Sequence, residues 1–255
     1  MYIAYFSPTG GTRKAAEIIG KEIDPDDTMI DITPYPQNES RYALAPDDTL
    51  LVAVPVYGGR VPPTAIERLK CITGRQTPAI PVVVYGNRDY DDALLELKTE
   101  LESNGFQVIA GVACIAEHSI MRIYAHGRPD LEDEAALKQF ALRIKTKLEK
   151  AKAGELFPEI SVKGNPIYKV FHGAFLKPRT GEECNSCGTC ALQCPVHAIP
   201  EENPRITLTD KCISCMRCIA VCPQKAREIP PADLEQSTQV FKERCSARKE
   251  PELFI

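Results

Sequence analysis

The chain has 255 residues, 44% of them hydrophobic, and a formal net charge of −4. That is enough apolar material for one large domain or two modest ones, and the charge balance argues against general affinity for nucleic acid or for an anionic membrane surface. Its start, Met1 to Phe6, has no basic region and no long apolar run, and the segments Leu50 to Val56 and Ile80 to Tyr85 are too short to span a bilayer, so a cytoplasmic location is expected.

In chain order, Tyr2 to Phe6 reads as a strand and Thr12 to Ile23 as a helix. Met29 to Ile32 and Leu50 to Val54 follow as strands, Thr64 to Cys71 as a helix, Pro81 to Tyr85 as a strand and Ala93 to Ser103 as a helix. Val108 to Ile115 is the last strand candidate and Glu132 to Lys150 the last helix of this region. Apolar residues recur at three- and four-residue spacing in the helices, and the strands are continuous apolar runs. Such alternation implies a parallel sheet covered on both faces, an α/β domain over residues 1–150. Residues 151–181 carry several glycines and prolines and little periodicity, and read as a connector that partly packs as it crosses over. Residues 182–231 form a cysteine-rich unit, and residues 232–255 read as a polar helix followed by a short apolar tail.

The first strand candidate runs into Ser7-Pro8-Thr9-Gly10-Gly11-Thr12 at the start of a helix, where unpaired N–H groups and the helix dipole suit an anion. A triphosphate loop needs Lys followed by Ser or Thr after its last glycine, and Thr12-Arg13-Lys14 does not supply that pair. The dinucleotide pattern Gly-x-Gly-x-x-Gly is also missing. A hydroxyl-rich loop without a cation remains, suited to a phosphate monoester or serving as an ordinary Gly-rich turn. The pattern Ser/Thr-x-Thr-Gly-x-Thr resembles the phosphate loop of flavodoxins. That resemblance implies a doubly wound five-stranded parallel sheet in the order 2-1-3-4-5 with FMN at the carboxyl ends of its strands. It also implies phosphate contacts from Ser7, Thr9, Gly10, Gly11 and Thr12. Two later loops, Pro55-Val56-Tyr57-Gly58-Gly59-Arg60-Val61-Pro62 and Tyr85-Gly86-Asn87-Arg88-Asp89-Tyr90-Asp91-Asp92, resemble those with which such proteins hold the flavin ring. The match implies Tyr57 and Tyr90 as stacking residues, and Pro55, Val56, Gly58, Gly59, Asn87 and Arg88 around the ring. Arg60 departs from the acidic residue common in simple flavodoxins, and a cation near the ring is expected to raise the flavin potential.

Eleven cysteines without a secretion signal favour reduced, metal-binding thiols over disulfides. Eight of them form two runs 28 residues apart, beginning at Cys184 and Cys212, each reading Cys-x2-Cys-x2-Cys-x3-Cys-Pro. This is the spacing of bacterial iron–sulfur ligation, in which three close thiolates hold one cluster and the fourth reaches the other. The expected sets are therefore Cys184, Cys187, Cys190 and Cys222 for one [4Fe–4S] cluster, and Cys212, Cys215, Cys218 and Cys194 for a second. Zinc is the alternative, but the third cysteine of each run would have no role in two tetrahedral sites. The segment Cys184 to Pro230 resembles two-cluster bacterial ferredoxins. Cys71, Cys114 and Cys245 read as small buried hydrophobes. His118 and His126 read as structural rather than catalytic, His172 and His197 carry less signal, and Asp130, Glu132, Asp133 and Glu134 read as helix capping.

The whole chain thus resembles fusions of a flavodoxin-like domain with a two-cluster ferredoxin. The resemblance implies electron transfer between FMN and the clusters, with other redox proteins as partners; the oligomeric state is not legible. An FMN-dependent iron–sulfur oxidoreductase acting on a small substrate or NAD(P)H is the alternative, and a redox sensor a third class. The carrier is favoured because two covering tyrosines would exclude a nicotinamide and no second nucleotide fingerprint is present.

Overall fold

The structure is a computed structural model and describes residues 1–35, 41–153, 155, 158–171, 173 and 175–255; His172 lies outside them. In chain order, β1 (Tyr2–Tyr5) turns into α1 (Gly11–Ile23), followed by β2 (Thr28–Asp31), β3 (Tyr42–Ala43) and β4 (Leu50–Pro55). Next come α2 (Pro63–Leu69), β5 (Ile72–Thr73), β6 (Thr77–Tyr85), α3 (Ala93–Ser103), β7 (Phe106–Val108), β8 (Gly111–Ile115) and α4 (Leu131–Lys152). The remainder holds β9 (Arg179–Thr180), α5 (Thr189–Leu192), α6 (Arg217–Ala220), β10 (Arg227–Glu228), α7 (Pro231–Cys245) and β11 (Glu252–Phe254).

The main sheet runs β2-β1-β4-β6-β8, all parallel, which is the doubly wound order 2-1-3-4-5 of the five major strands. Side chains alternate between its faces. Ala4 and Phe6 join a core under α2 and α3 with Leu69, Leu94 and Leu97. Ile3 and Tyr5 join the opposite core, with Ile19 of α1 and Leu137 and Ile144 of α4. Asp130 starts α4 by accepting from the N–H groups of Glu132 and Asp133, and the Asp133 carboxylate accepts in return from the Asp130 N–H. This is the reciprocal cap expected of that acidic run.

The sheet has seven strands rather than five. The run Val108 to Ile115 breaks into β7 and β8, both parallel to β6, and β11 adds antiparallel to β8. The break accommodates Pro81, which lies within a central strand although it cannot donate to a neighbour. The Ala79 carbonyl accepts from Ile109 at 3.1 Å, so Pro81, two residues on, faces the edge where pairing passes from β7 to β8. The missing donor falls in that gap.

The connector is anchored to the sheet. Ile160 is buried in the core under α3, the N–H groups of Asn165 and Lys169 donate to the Asp92 carboxylate at 2.9 and 2.8 Å, and Lys163 pairs with Asp89 at 2.9 Å. Arg179 and Thr180 already pair with β10, so the cysteine-rich unit begins before residue 182. Among the described residues no helix is long and apolar enough to cross a membrane.

Candidate functional site

Gly10 takes a left-handed conformation, φ 94°, and turns the chain from β1 into α1. The buried Ser7 hydroxyl accepts from the Arg13 N–H at 2.9 Å, capping the helix from three residues before Gly10, and the Ser7 N–H donates to the Thr33 hydroxyl at 2.7 Å. The N–H groups of Gly11 and Thr12 lie in the first helical turn, where no intrahelical acceptor exists. Thr9 and Gly10 are exposed, and Thr12 is buried.

At the carboxyl ends of β4, β6 and β8 lies a cavity of about 330 Å³, which residues 7–12 do not line. Val56, Tyr57, Gly58 and Gly59 form one wall, Tyr85, Gly86, Arg88 and Asp89 another, and His118 to Met121 a third. Its roof comes from outside the α/β domain: Phe175 and Leu176 of the connector, Ile213 and Ser214 of the cysteine-rich unit, and Ser237 and Phe241 of α7. Gly58 and Gly59, with φ 61° and 87°, form a tight turn closed by reciprocal backbone hydrogen bonds between Tyr57 and Arg60 at 3.0 and 3.1 Å. A Cβ on Gly58 would meet nothing within 4 Å, whereas one on Gly59 would lie 2.0 Å from Asp91 Oδ2. The Tyr57 side chain is partly exposed, but burial of its phenol pushes its pKa well above the ordinary value, with the nearby Cys215 thiol adding to the shift.

Several expected ring neighbours lie elsewhere. Tyr90 is 1% exposed, tilted against Tyr85 at 5.4 Å in the core and covered by the Lys163 ammonium at 4.6 Å. It is two residues before the Asp92 cap of α3, and its ring fills the core with Leu94 instead of facing the cavity. Asn87 is also buried, donating to the carbonyls of Cys245 and Ala247 at 2.6 and 2.8 Å, which ties the β6 loop to the end of α7. Pro55 stays within β4, paired with β6. Arg60 turns away from the cavity to Glu96, at 2.6 Å, and stacks over Tyr168 at 4.7 Å, so its charge is neutralised and the expected effect on a flavin potential loses its basis.

His118 joins the cavity instead. Its Nδ1 accepts from the N–H groups of Ile120 and Met121 at 3.2 and 3.1 Å, which leaves the proton of the neutral ring on Nε2. Burial lowers its pKa to about 4, with the Arg88 cation a smaller cause in the same direction. His126 is exposed and lies 2.8 Å from Glu117, while His197 stacks on Tyr35 at 3.8 Å.

The two cysteine runs fold as near copies. Left-handed residues recur 28 positions apart, Ser186 with Ser214, Gly188 with Met216 and His197 with Lys225, and α5 repeats as α6. Cys184, Cys187, Cys190 and Cys222 ring one cavity, and Cys194, Cys212, Cys215 and Cys218 ring another. Each ring thus takes three thiols from one run and the last thiol of the other. Among the described residues no three His, Cys, Asp or Glu side chains lie close enough together to hold a single metal ion. Backbone N–H groups point at the sulfurs, Ala198 to Cys194 at 3.2 Å and Ala226 to Cys222 at 3.3 Å, bonds that favour the thiolate form a metal requires. Four thiols around each hollow, supported by such donors, fit an iron–sulfur cluster. In the first ring Cys187 is exposed and only Cys190 is buried, whereas Cys194, Cys215 and Cys218 of the second are buried, and burial pushes the Cys218 thiol up to about 12. The first ring is therefore the outer one, and the second faces the α/β domain. Cys114 and Cys245 are buried and Cys71 is half-buried, all three away from the rings.

Residues 176–227 match the family described as the 4Fe-4S dicluster domain. No curated protein matches the chain. Among solved structures, a flavodoxin of Streptococcus pneumonia TIGR4 is 20% identical with a TM-score of 0.40, covering 57% of this chain and 97% of its own. Flavodoxin 2 of Bacillus cereus is 14% identical with a TM-score of 0.40, covering 59% and 97%. An NADH:FMN oxidoreductase in its apo form is 15% identical with a TM-score of 0.40, covering 62% and 90%. The strand order of the first 150 residues, with the match and the mirrored cysteine runs of the last hundred, makes the chain a flavodoxin-like α/β domain fused to a 4Fe–4S dicluster domain.

Proposed function

We propose that the chain is an electron-transfer protein passing electrons between FMN and two [4Fe–4S] clusters, with other redox proteins as its partners. The observation that carries this reading is Ile213, which lines both the inner cysteine ring and the cavity at the ends of β4, β6 and β8. The two hollows thus share a wall residue. Tyr57 lines the same cavity, and the Cys215 thiol is near enough to add to the upward shift of its phenol. The exposed Cys187 side of the outer ring is where a protein partner would approach. Bound flavin exchanges electrons singly or in pairs and each cluster exchanges one. The chain's own part is to hold the phosphate with the Thr9 hydroxyl and the N–H groups of Gly11 and Thr12, to line the ring site with Tyr57 and the Gly58-Gly59 turn, and to keep water out with Ile213, Met121 and Phe241.

The test is cofactor content after anaerobic purification and reconstitution. The expected result is one FMN, about eight irons and matching acid-labile sulfide per chain. FAD or no flavin would remove the flavin half, and two zinc ions with little sulfide would remove the other. The oxidoreductase reading has one observation in its favour: with Tyr90 in the core, the cavity keeps one aromatic wall fewer than a shielded ring site needs. Mixing with NADH or NADPH separates the two. The carrier bleaches slowly with nicotinamide and rapidly with a reduced low-potential protein donor, whereas fast stoichiometric reduction by nicotinamide would favour the enzyme.

A further inference from the structure

We infer that Arg217, carried by the dicluster domain, supplies the cation of the FMN phosphate site, so that the flavin is held jointly by both halves of the chain. The inference rests on the FMN reading above.

A phosphate monoester carries up to two negative charges, and the loop from Ser7 to Thr12 has no cationic side chain of its own. The two cations that follow it on α1 are committed elsewhere. Arg13 pairs with Glu17 at 2.7 Å and Lys14 donates to the Pro129 carbonyl at 2.6 Å. Among the described residues, the cationic side chain that reaches residues 7–12 is Arg217, which donates from Nη1 to the Pro8 carbonyl at 3.2 Å. Its Nη2 donates to Gln193 Oε1 at 2.6 Å, which fixes the plane of the guanidinium. Those bonds use two of its five N–H donors and leave the others for a phosphate oxygen, a geometry that an ammonium reproduces only in part.

The position of Arg217 in the sequence adds a consequence. It lies between Cys215 and Cys218 of the inner ring, and Gln193 directly precedes Cys194 of the same ring. The side chain facing the phosphate loop is therefore set by the segment that wraps the inner cluster, so loading of that cluster and retention of FMN should reinforce each other.

The experiment compares FMN with riboflavin, which lacks the phosphate, by flavin-fluorescence titration of deflavinated, cluster-loaded full-length protein. Arg217→Gln is expected to weaken FMN roughly tenfold to hundredfold, the effect of one charge-assisted hydrogen bond, and to leave riboflavin within about twofold. Arg217→Lys should recover part of the loss. Gln193→Ala, which keeps the charge but frees the guanidinium, should give a smaller loss for FMN alone and serves if Arg217→Gln fails to hold its clusters. Equal losses for FMN and riboflavin would make Arg217 an interdomain staple and overturn the inference, as would no loss for either. A parent protein that prefers riboflavin or binds neither flavin would remove the FMN reading itself.

Discussion

Ser7 and Thr9 stand two residues apart in the same loop and have separable roles. The Ser7 hydroxyl is occupied within the protein, capping α1 through the Arg13 N–H, whereas Thr9 is exposed and its hydroxyl is available to a ligand. Ser7→Ala should therefore lower stability by about 1 kcal/mol, read by thermal or denaturant unfolding. Thr9→Ala should leave unfolding unchanged and weaken FMN by roughly 1.5–3 kcal/mol, read by titration. Gly59→Ala should disrupt the ring-site turn, because φ 87° strains any side chain and the new Cβ would fall on Asp91. A stability loss of about 1–2 kcal/mol or more is expected from the backbone alone. His118 gives a pH signature. Its folded pKa of about 4 lies below the ordinary 6.5, so as pH falls the unfolded chain takes the proton first. The stability from the neutral ring is complete above about 6.5 and is lost progressively down to about 4, roughly 3 kcal/mol in all. A ring-proton titration by NMR checks the value; a midpoint near 6.5 would mean that the buried site does not disfavour the charged ring. Residue roles in this region were only partly legible in the sequence. Tyr57 was singled out by the resemblance of the loop after β4, and the structure puts it on the cavity wall. Tyr90 stands among aspartates and reads as a loop residue, and nothing local records that its ring turns back under α3. His118 had no pattern around it, since what makes it notable is burial against Gly86.

At the scale of elements, strong periodicity proved the better guide. The helix read at Ala93 to Ser103 has those bounds in the structure, and the five parallel strands fall where continuous apolar runs stood. What escaped was short or long-range. β11 has three residues, too few for any period, and owes its existence to the open edge of β8. The split between β7 and β8 depends on where Pro81 lies across the sheet. The cysteine spacing carried more, because a repeat fixes two local folds at once, and the two rings draw together the thiols that crossed ligation requires. That arrangement separates two substitutions in neighbouring runs. Cys194→Ala should damage the cluster of Cys212, Cys215 and Cys218 and spare its own run, while Cys222→Ala should damage the outer cluster. Loss of one iron from a cubane gives a distinct three-iron electron paramagnetic resonance signal. Assigning that signal by further ligand substitutions checks the scheme, and damage confined to the mutated run would replace it with two independent hooks.

In the whole molecule, the dicluster domain is fastened on both sides. The connector leading into it is tied to the β6–α3 loop through Asp89 and Asp92, and the chain leaving it runs through α7 and returns to the sheet as β11. Asn87 holds the end of α7, the Arg128 guanidinium donates to the Lys249 carbonyl at 2.7 Å, and Arg68 bridges the carbonyls of Ile32 and Thr33 to that of Pro195. A module hung on one tether would have to swing, and solvent friction would set its pace. One clamped at entry and exit keeps the gap across Ile213 constant, so exchange between the two halves should depend on distance and driving force and be indifferent to added glycerol or sucrose. Ending the chain after Glu250 removes β11 and should make that internal rate viscosity-dependent, as measured by flash reduction. In the intact protein, friction should then be felt only outside, in the diffusion of the proposed redox partner to the Cys187 side. Internal wiring and external delivery would thus answer to different physical variables, and a viscosity series on one sample could tell them apart.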